Sequence, residues 1–554
     1  MKTIIYLLLM VCTHISFAQT IIFVQANAPA GGNGTIARPF NKIADALYTA
    51  PNGQPTTIYL RAGTFKEAVF IFKSGNISGF LSIEPYQNET VILDGTEVSN
   101  SPKEGVVIVN QSYVRIKGLK IRNYIGNYSK GIAIIEASHH IEILNNEIEQ
   151  IHFSSNDVSP LQNYSLNTNP IVVRNINTIP AHTFLIKGNR VHDCRTGYSE
   201  GIQVSGNVDN FVIEENIVYN IKNIGIVAGG FHGLNTYARR GKIFNNVVYN
   251  CKSPVALAAG IYIDGARNIT AERNKVYNCQ RGFAINCETP NQYASRDTLR
   301  NNIAYNNTRA GFSMGGLNSA YGGWVDSSAI VYNTSYNNFQ NTLEPEETSP
   351  TDFGEITLDF SKNSVVKNNI FHNGNRSRIL NSYSSYINLQ LNHNLWFSDG
   401  SLSNLLFVYN STPYYAFSNY QNATNQDRQS VVGQPSFMNA ALGDFRLLCN
   451  SKAIGIADLA VNRGNTDFGG GSRLYGTYPD AGADEYENTI IKSISSGAWH
   501  STTTWDCNCI PIACDTVMIQ NSHIISIQSL ARAKQVFNYG QVNIVANGNL
   551  VLGL

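Results

Sequence analysis

Residues 214–228 read EENIVYNIKNIGIVA, and the same phrase returns as FNNVVYNC at 244–251, ERNKVYNCQRGFAIN at 272–286 and RNNIAYNNTRAGFSM at 300–314. Each copy carries an Asn, an apolar residue two positions on and a polar residue four positions on. A Gly or Ala then opens an alternating apolar run. Working outward, the leading Asn falls at Asn146, Asn189, Asn216, Asn246, Asn274, Asn302, Asn333 and Asn369, with gaps of 43, 27, 30, 28, 28, 31 and 36 residues. A period near 28 with apolar residues at spacing two predicts short strands wound into stacked coils. Strands of adjacent coils lie roughly 4.8 Å apart, so identical residues at a turn form a ladder. An Asn amide both donates and accepts, and Asn tolerates left-handed turn backbone. The absence of a Leu-x-x-Leu-x-Leu frame excludes a leucine-rich repeat, and the period of two excludes helical repeats.

Composition fits a coil stack. The 554 residues carry 40 Lys+Arg against 39 Asp+Glu, only 14% are charged, and 67 are Asn. Near-neutrality denies the chain the basic field of a nucleic-acid binder. A hydrophobic content of 43% excludes general disorder. The apolar run from Ile4 to Cys12, followed by Ser16-Phe17-Ala18, predicts a signal peptide over 1–18 and export. No later apolar stretch is long enough to span a membrane. Cys194, Cys251 and Cys279 each follow a ladder Asn by five residues. Cys251 and Cys279 sit on adjacent coils, either bridged or as stacked thiols.

The coil pattern resembles the right-handed parallel β-helix of the pectate-lyase superfamily. FVQANAPAGGNGTIARPFNKIADAL (23–47), TTIYLRAGTF (56–65) and SIEPYQNETVILDGT (82–96) resemble the opening of secreted β-helix proteins. There an amphipathic helix, Pro39 to Thr49 here, caps the first coil. QPSFMNAALGDFRLLCNSKAIGIAD (434–458) and PDAGADEYE (479–487) resemble the last coils. The expected organisation is an all-β solenoid over 19–487 and a small β-rich module over 488–554, the module ending mid-pattern. The resemblance implies a secreted, monomeric protein acting on or binding an extracellular polysaccharide.

Strand alternation places the chemistry. The inward positions are Ile132/Ile134, Ile171/Val173, Ile202/Val204, Ile226/Ala228, Ile261/Ile263 and Phe283/Ile285. The outward column reads Ala133/Ile135, Val172/Arg174, Gln203/Ser205, Val227/Gly229, Tyr262/Asp264 and Ala284/Asn286. Asp264, Asn286 and Glu288 form its acidic middle, with Glu200 two coils earlier. An insertion at 229–240 carries His232, Tyr237, Arg239 and Arg240, and 317–324 adds Tyr321 and Trp324. Three functions are open. A β-eliminating polysaccharide lyase on a uronic-acid glycan, the leading expectation, needs a base and a cation for the enolate. Arg239, Arg240 or Arg174 would serve, with Asp264 and Glu288 holding Ca2+. A glycoside hydrolase needs two carboxyls, here Asp264 and Glu288. A non-catalytic binding or adhesion solenoid needs the same groove only for recognition, through Arg174, Gln203, Tyr262, Asn286 and Trp324. Asp264 before Gly265 equally reads as a turn hydrogen bond.

Overall fold

The computed structural model describes residues 19–553, apart from 158–159, 161–162, 232–233, 317–322, 341–352, 377, 383–385, 401–404 and 488–489. The segment 1–18 expected as a signal peptide lies outside the described residues, as do His232 and Tyr321. Among the described residues, the chain builds three long sheets of 13, 14 and 13 strands. Consecutive strands join different sheets. Ser112–Lys117 lies in the first, Lys130–Ile135 in the second and Glu147–Glu149 in the third. Each coil thus adds one strand to every sheet, in parallel register, and the fold is an all-β right-handed parallel β-helix.

Register follows the alternation. Ile132, Ile171, Ile202, Ile226, Ile261, Phe283, Phe312 and Ile356 stand in one file inside the second sheet. All eight are 0% exposed. Each such side chain contributes about 1.5–3 kcal/mol by leaving water, and a slip of one residue would turn every file outward.

The turn into the third sheet is held by amides. Asn274 Nδ2 donates to Asn302 Oδ1 at 3.0 Å, and the Asn274 backbone N–H reaches the same oxygen at 2.9 Å. Asn274 Nδ2 also donates to the Ile243 carbonyl at 2.8 Å. The unit repeats from Asn146 through Asn394 and closes on Asp427. Left-handed backbone flanks the ladder instead of lying in it. It occurs just before, at Asn245, Arg273 and Asn301, and four residues after, at Asn250, Asn278 and Asn306. Outside the third sheet a second file stacks His192, Tyr219, Tyr249, Tyr277 and Tyr305, with centroids 4.7–5.0 Å apart.

The N-terminal helix spans Ile43–Thr49 and buries Ile43, Ala46 and Leu47 on the first coil. It is shorter than the expected Pro39–Thr49 because the Phe40 N–H is held by the Phe23 carbonyl at 3.0 Å. A second helix, Phe417–Thr424, seats Tyr420 on Phe407, centroids 4.8 Å apart. Beyond the hairpin Phe437–Asn439/Asp444–Leu447, the closing segment runs back along the third sheet. There the buried Arg473–Glu485 pair ties it down, with Arg473 also bonded to the Asp480 and Gly482 carbonyls. The module has its own core around Trp499, Trp505, Val517, Ile519, Ile525 and Ile527. Disulfides join Cys449 to Cys514 and Cys507 to Cys509. Cys251 and Cys279 are stacked thiols, the Cys251 N–H lying 3.4 Å from Cys279 Sγ. No helix of the described residues is long and apolar enough to cross a membrane.

Candidate active site

Strands of the second sheet are entered through loops of unequal length. The loops before Asn169–Asn175, Ile202–Gly206 and Ala259–Asp264 are longer than the one before Ile226–Phe231. They rise beside the outer face of the sheet and leave a cleft of about 690 Å³ above it. The outward files Val172, Gln203, Val227, Tyr262, Ala284 and Arg174, Ser205, Gly229, Asp264, Asn286 stand as the alternation places them. Gly229 is the register partner of Asp264 and carries no side chain, so it leaves room beside that carboxyl.

The acidic residues gather at one end of the cleft. Asp264 Oδ1 accepts the Glu288 backbone N–H at 2.9 Å. Glu288 Oε1 accepts the hydroxyl of Tyr262, a residue 3% exposed. Arg281 lies 5.3 Å from the Tyr262 ring centre and donates to Ser313 Oγ at 3.3 Å and to the Leu257 carbonyl. With its amide oxygen turned to Arg281 Nη1 at 3.2 Å, Asn286 donates to the Gly315 carbonyl at 3.1 Å. Glu200 faces the same space, and its Oε2 is buried without a hydrogen-bond partner.

Burial and mutual repulsion keep two of these carboxyls protonated. Glu200 is pushed up to about 8 by burial and then by the charges of Asp264 and Glu288. Asp264 is pushed up to about 7 by burial and by Glu288, against the pull of the Glu288 N–H and Arg281. A raised carboxyl binds its proton in the folded state after the unfolded chain has released it. Stability therefore falls as pH climbs from the ordinary carboxyl range to about 8. Thermal melts from pH 4 to pH 9 should show this fall, and Glu200→Gln should flatten it. An identical slope in that variant would contradict the clustering.

The structure does not bring every expected residue here. Arg239 and Arg240 leave the Gly229–Arg240 insertion and return to the first sheet, where both pair with Asp209, at 3.1 and 2.5 Å. That pairing, set by the Asp209–Arg239 register, takes them off the cleft. Trp324 lies in a four-stranded side sheet, packed edge-on against Phe360 at 5.7 Å. Arg174 and Gln203 do line the cleft. Gln203 accepts from Asn169 Nδ2 at 2.9 Å and donates to Ser205 Oγ at 3.2 Å. Among the described residues, the one group of three metal-ligating side chains converging within 4.8 Å is Glu147, Glu149 and His192, on the third sheet. There Lys120 already bridges both glutamates, at 3.4 and 2.9 Å. At the cleft, one oxygen of Asp264 accepts an N–H and one oxygen of Glu288 accepts an O–H, leaving the second oxygen of each carboxyl open. Glu200, Asn169 and the tyrosines Tyr128, Tyr164 and Tyr198 also line the cleft. Of these, only Glu200 was signalled by the strand pattern, because the tyrosines ride on irregular loops.

Comparison with known proteins agrees with this architecture. Residues 230–421 match the family model of the right handed beta helix region. The uncharacterized protein YwoF of Bacillus subtilis (strain 168) is 29% identical over 450 residues, covering 78% of this chain and 92% of that protein. Among solved structures, pectate lyase Pel9A covers 86% of this chain and 98% of its own, at 13% identity and a TM-score of 0.43. XylC in complex with xylose covers 84% and 98%, at 10% identity and a TM-score of 0.48. The match to that region and the coil geometry make the fold a right-handed parallel β-helix.

Proposed function

We propose that this exported protein is carbohydrate-active and that its cleft hydrolyses glycosidic bonds of an extracellular glycan. One observation carries the reading. A carboxyl kept protonated near neutral pH, Asp264, stands beside a carboxylate that receives a tyrosine hydroxyl, Glu288. Glycoside hydrolysis needs those two states together. Asp264 donates its proton to the leaving oxygen. Glu288, whose Oε1 accepts the Tyr262 hydroxyl, acts at the anomeric carbon or on the attacking water. Glu200, in the same space with its proton held by burial and by the charges of Asp264 and Glu288, adds a second protonated carboxyl to the site. Arg239 and Arg240, paired with Asp209, supply no base for elimination here. Arg174 in the cleft is the observation that favours β-elimination as a second reading.

The test is incubation with a panel of neutral and uronic-acid polysaccharides, with and without EDTA. New reducing ends with no unsaturated-uronate absorbance, unchanged by EDTA, are expected. Unsaturated uronate would assign the site to elimination. Binding without products would make it a recognition groove.

A further inference from the structure

The carboxylates occupy one end of the cleft only. The strands Lys130–Ile135, Asn169–Asn175, Ile202–Gly206, Ile226–Phe231 and Ala259–Asp264 are neighbours in that order, so four strand spacings separate the first from the last. At roughly 4.8 Å each, that is about 19 Å along the helix axis. Toward the other end stand Tyr128, Tyr164 and Tyr198, on the loops that enter the first, second and third of these strands, four, three and two spacings from Asp264. Tyr164 is 78% exposed and Tyr128 49% exposed, and the Tyr164 and Tyr198 rings are 4.9 Å apart, tilted by 45°. Exposed aromatic rings grouped at a cleft mouth mark a contact surface. Between the two ends lies a hydrogen-bonding row of Asn169, Gln203 and Ser205, with the cationic Arg174 beside Ser205. Lys130, beside the tyrosines, has its ammonium on Glu104 at 2.9 Å.

We propose that the cleft binds an uncharged oligosaccharide laid along the helix axis, with the tyrosine group as a distal sugar subsite several rings from Asp264. The inference deepens the hydrolase reading and rests on it for the role of Asp264. A sugar ring presents C–H groups on its faces, which pack against tyrosine, and hydroxyls at its rim, which suit amide side chains. A uronate at the acidic end meets the like charge of Glu288 in a partly buried site. Polyuronates are therefore poor ligands, and neutral chains of several sugars gain affinity that short ones lack.

Calorimetric titration of the Asp264→Asn protein separates binding from turnover. The ligands are the tri- and hexasaccharides of cellulose, xylan and mannan, with hexagalacturonate as the charged control. At least one neutral hexasaccharide should bind about tenfold tighter than its trisaccharide, the worth of one aromatic subsite. Tyr164→Ala, at an exposed position, should keep the melting temperature and return the hexasaccharide to the trisaccharide's Kd. Equal affinity for both lengths, preference for hexagalacturonate, no binding by any neutral chain, or a length gain that survives Tyr164→Ala would each overturn the inference. Length-dependent binding without hydrolysis by the wild type would remove the hydrolase reading and leave the subsite standing.

Discussion

Asp264→Asn should lower glycan hydrolysis by about a thousandfold, within the 10²–10⁴ range typical of a lost general acid. The fold should survive it. Asn keeps an oxygen for the Glu288 N–H now held at 2.9 Å. The change also removes an ionisable group that burial and Glu288 hold against ionisation, so stability near pH 8 should be equal or higher. Glu288→Gln should be comparably damaging, because the amide leaves the Tyr262 hydroxyl a partner but carries no charge. Steady-state rates paired with thermal melts check both. Near wild-type turnover in either variant would take these residues out of the chemistry, and global unfolding would make Asp264 a turn residue instead.

Asn274→Ala carries the largest expected effect on stability. It removes the acceptor shared by the Asn246 backbone N–H and Nδ2, at 3.0 and 2.9 Å. It also removes the donor to Asn302 Oδ1 and to the Ile243 carbonyl. Asn274 is 0% exposed, so no water replaces these partners. Unpaired buried polar groups cost ~1–3 kcal/mol each, and about 3 kcal/mol in total is expected after relaxation. Asn278→Ala, four residues on at a left-handed turn position, should cost only about 1 kcal/mol, because Ala lacks the short polar side chain that lets Asn tolerate that backbone. Urea denaturation monitored by circular dichroism measures both. Equal midpoints for the two variants would contradict the distinction between ladder and turn.

Periodic features were legible in the sequence. Alternation fixed which of Tyr262 and Ile263 faces out, because a strand has a side-chain period of two and one face must be buried. Stacking of like residues fixed the coil register, so the outward neighbours of Asp264, namely Gly229 and Asn286, could be named from spacing. Pairing over irregular chain could not be read. Arg239 and Arg240 follow an insertion, and only the return of that hairpin to the first sheet shows that Asp209, 30 residues earlier, takes them. Trp324 joins a side sheet built on Tyr293–Ser295, an element with no periodic signature. The tyrosines of the far subsite sit in loops whose path no repeat dictates. The closing segment reads like further coils, yet Arg473 and Glu485 fasten it across coils already formed.

The most direct measurement of the central claim is product analysis of wild type and Asp264→Asn on one panel of neutral and uronic-acid polysaccharides. The account predicts new reducing ends from a neutral glycan, no unsaturated uronate, and loss of both activity and products in Asp264→Asn. Unsaturated uronate from an acidic glycan, or equal product from the two proteins, would contradict it.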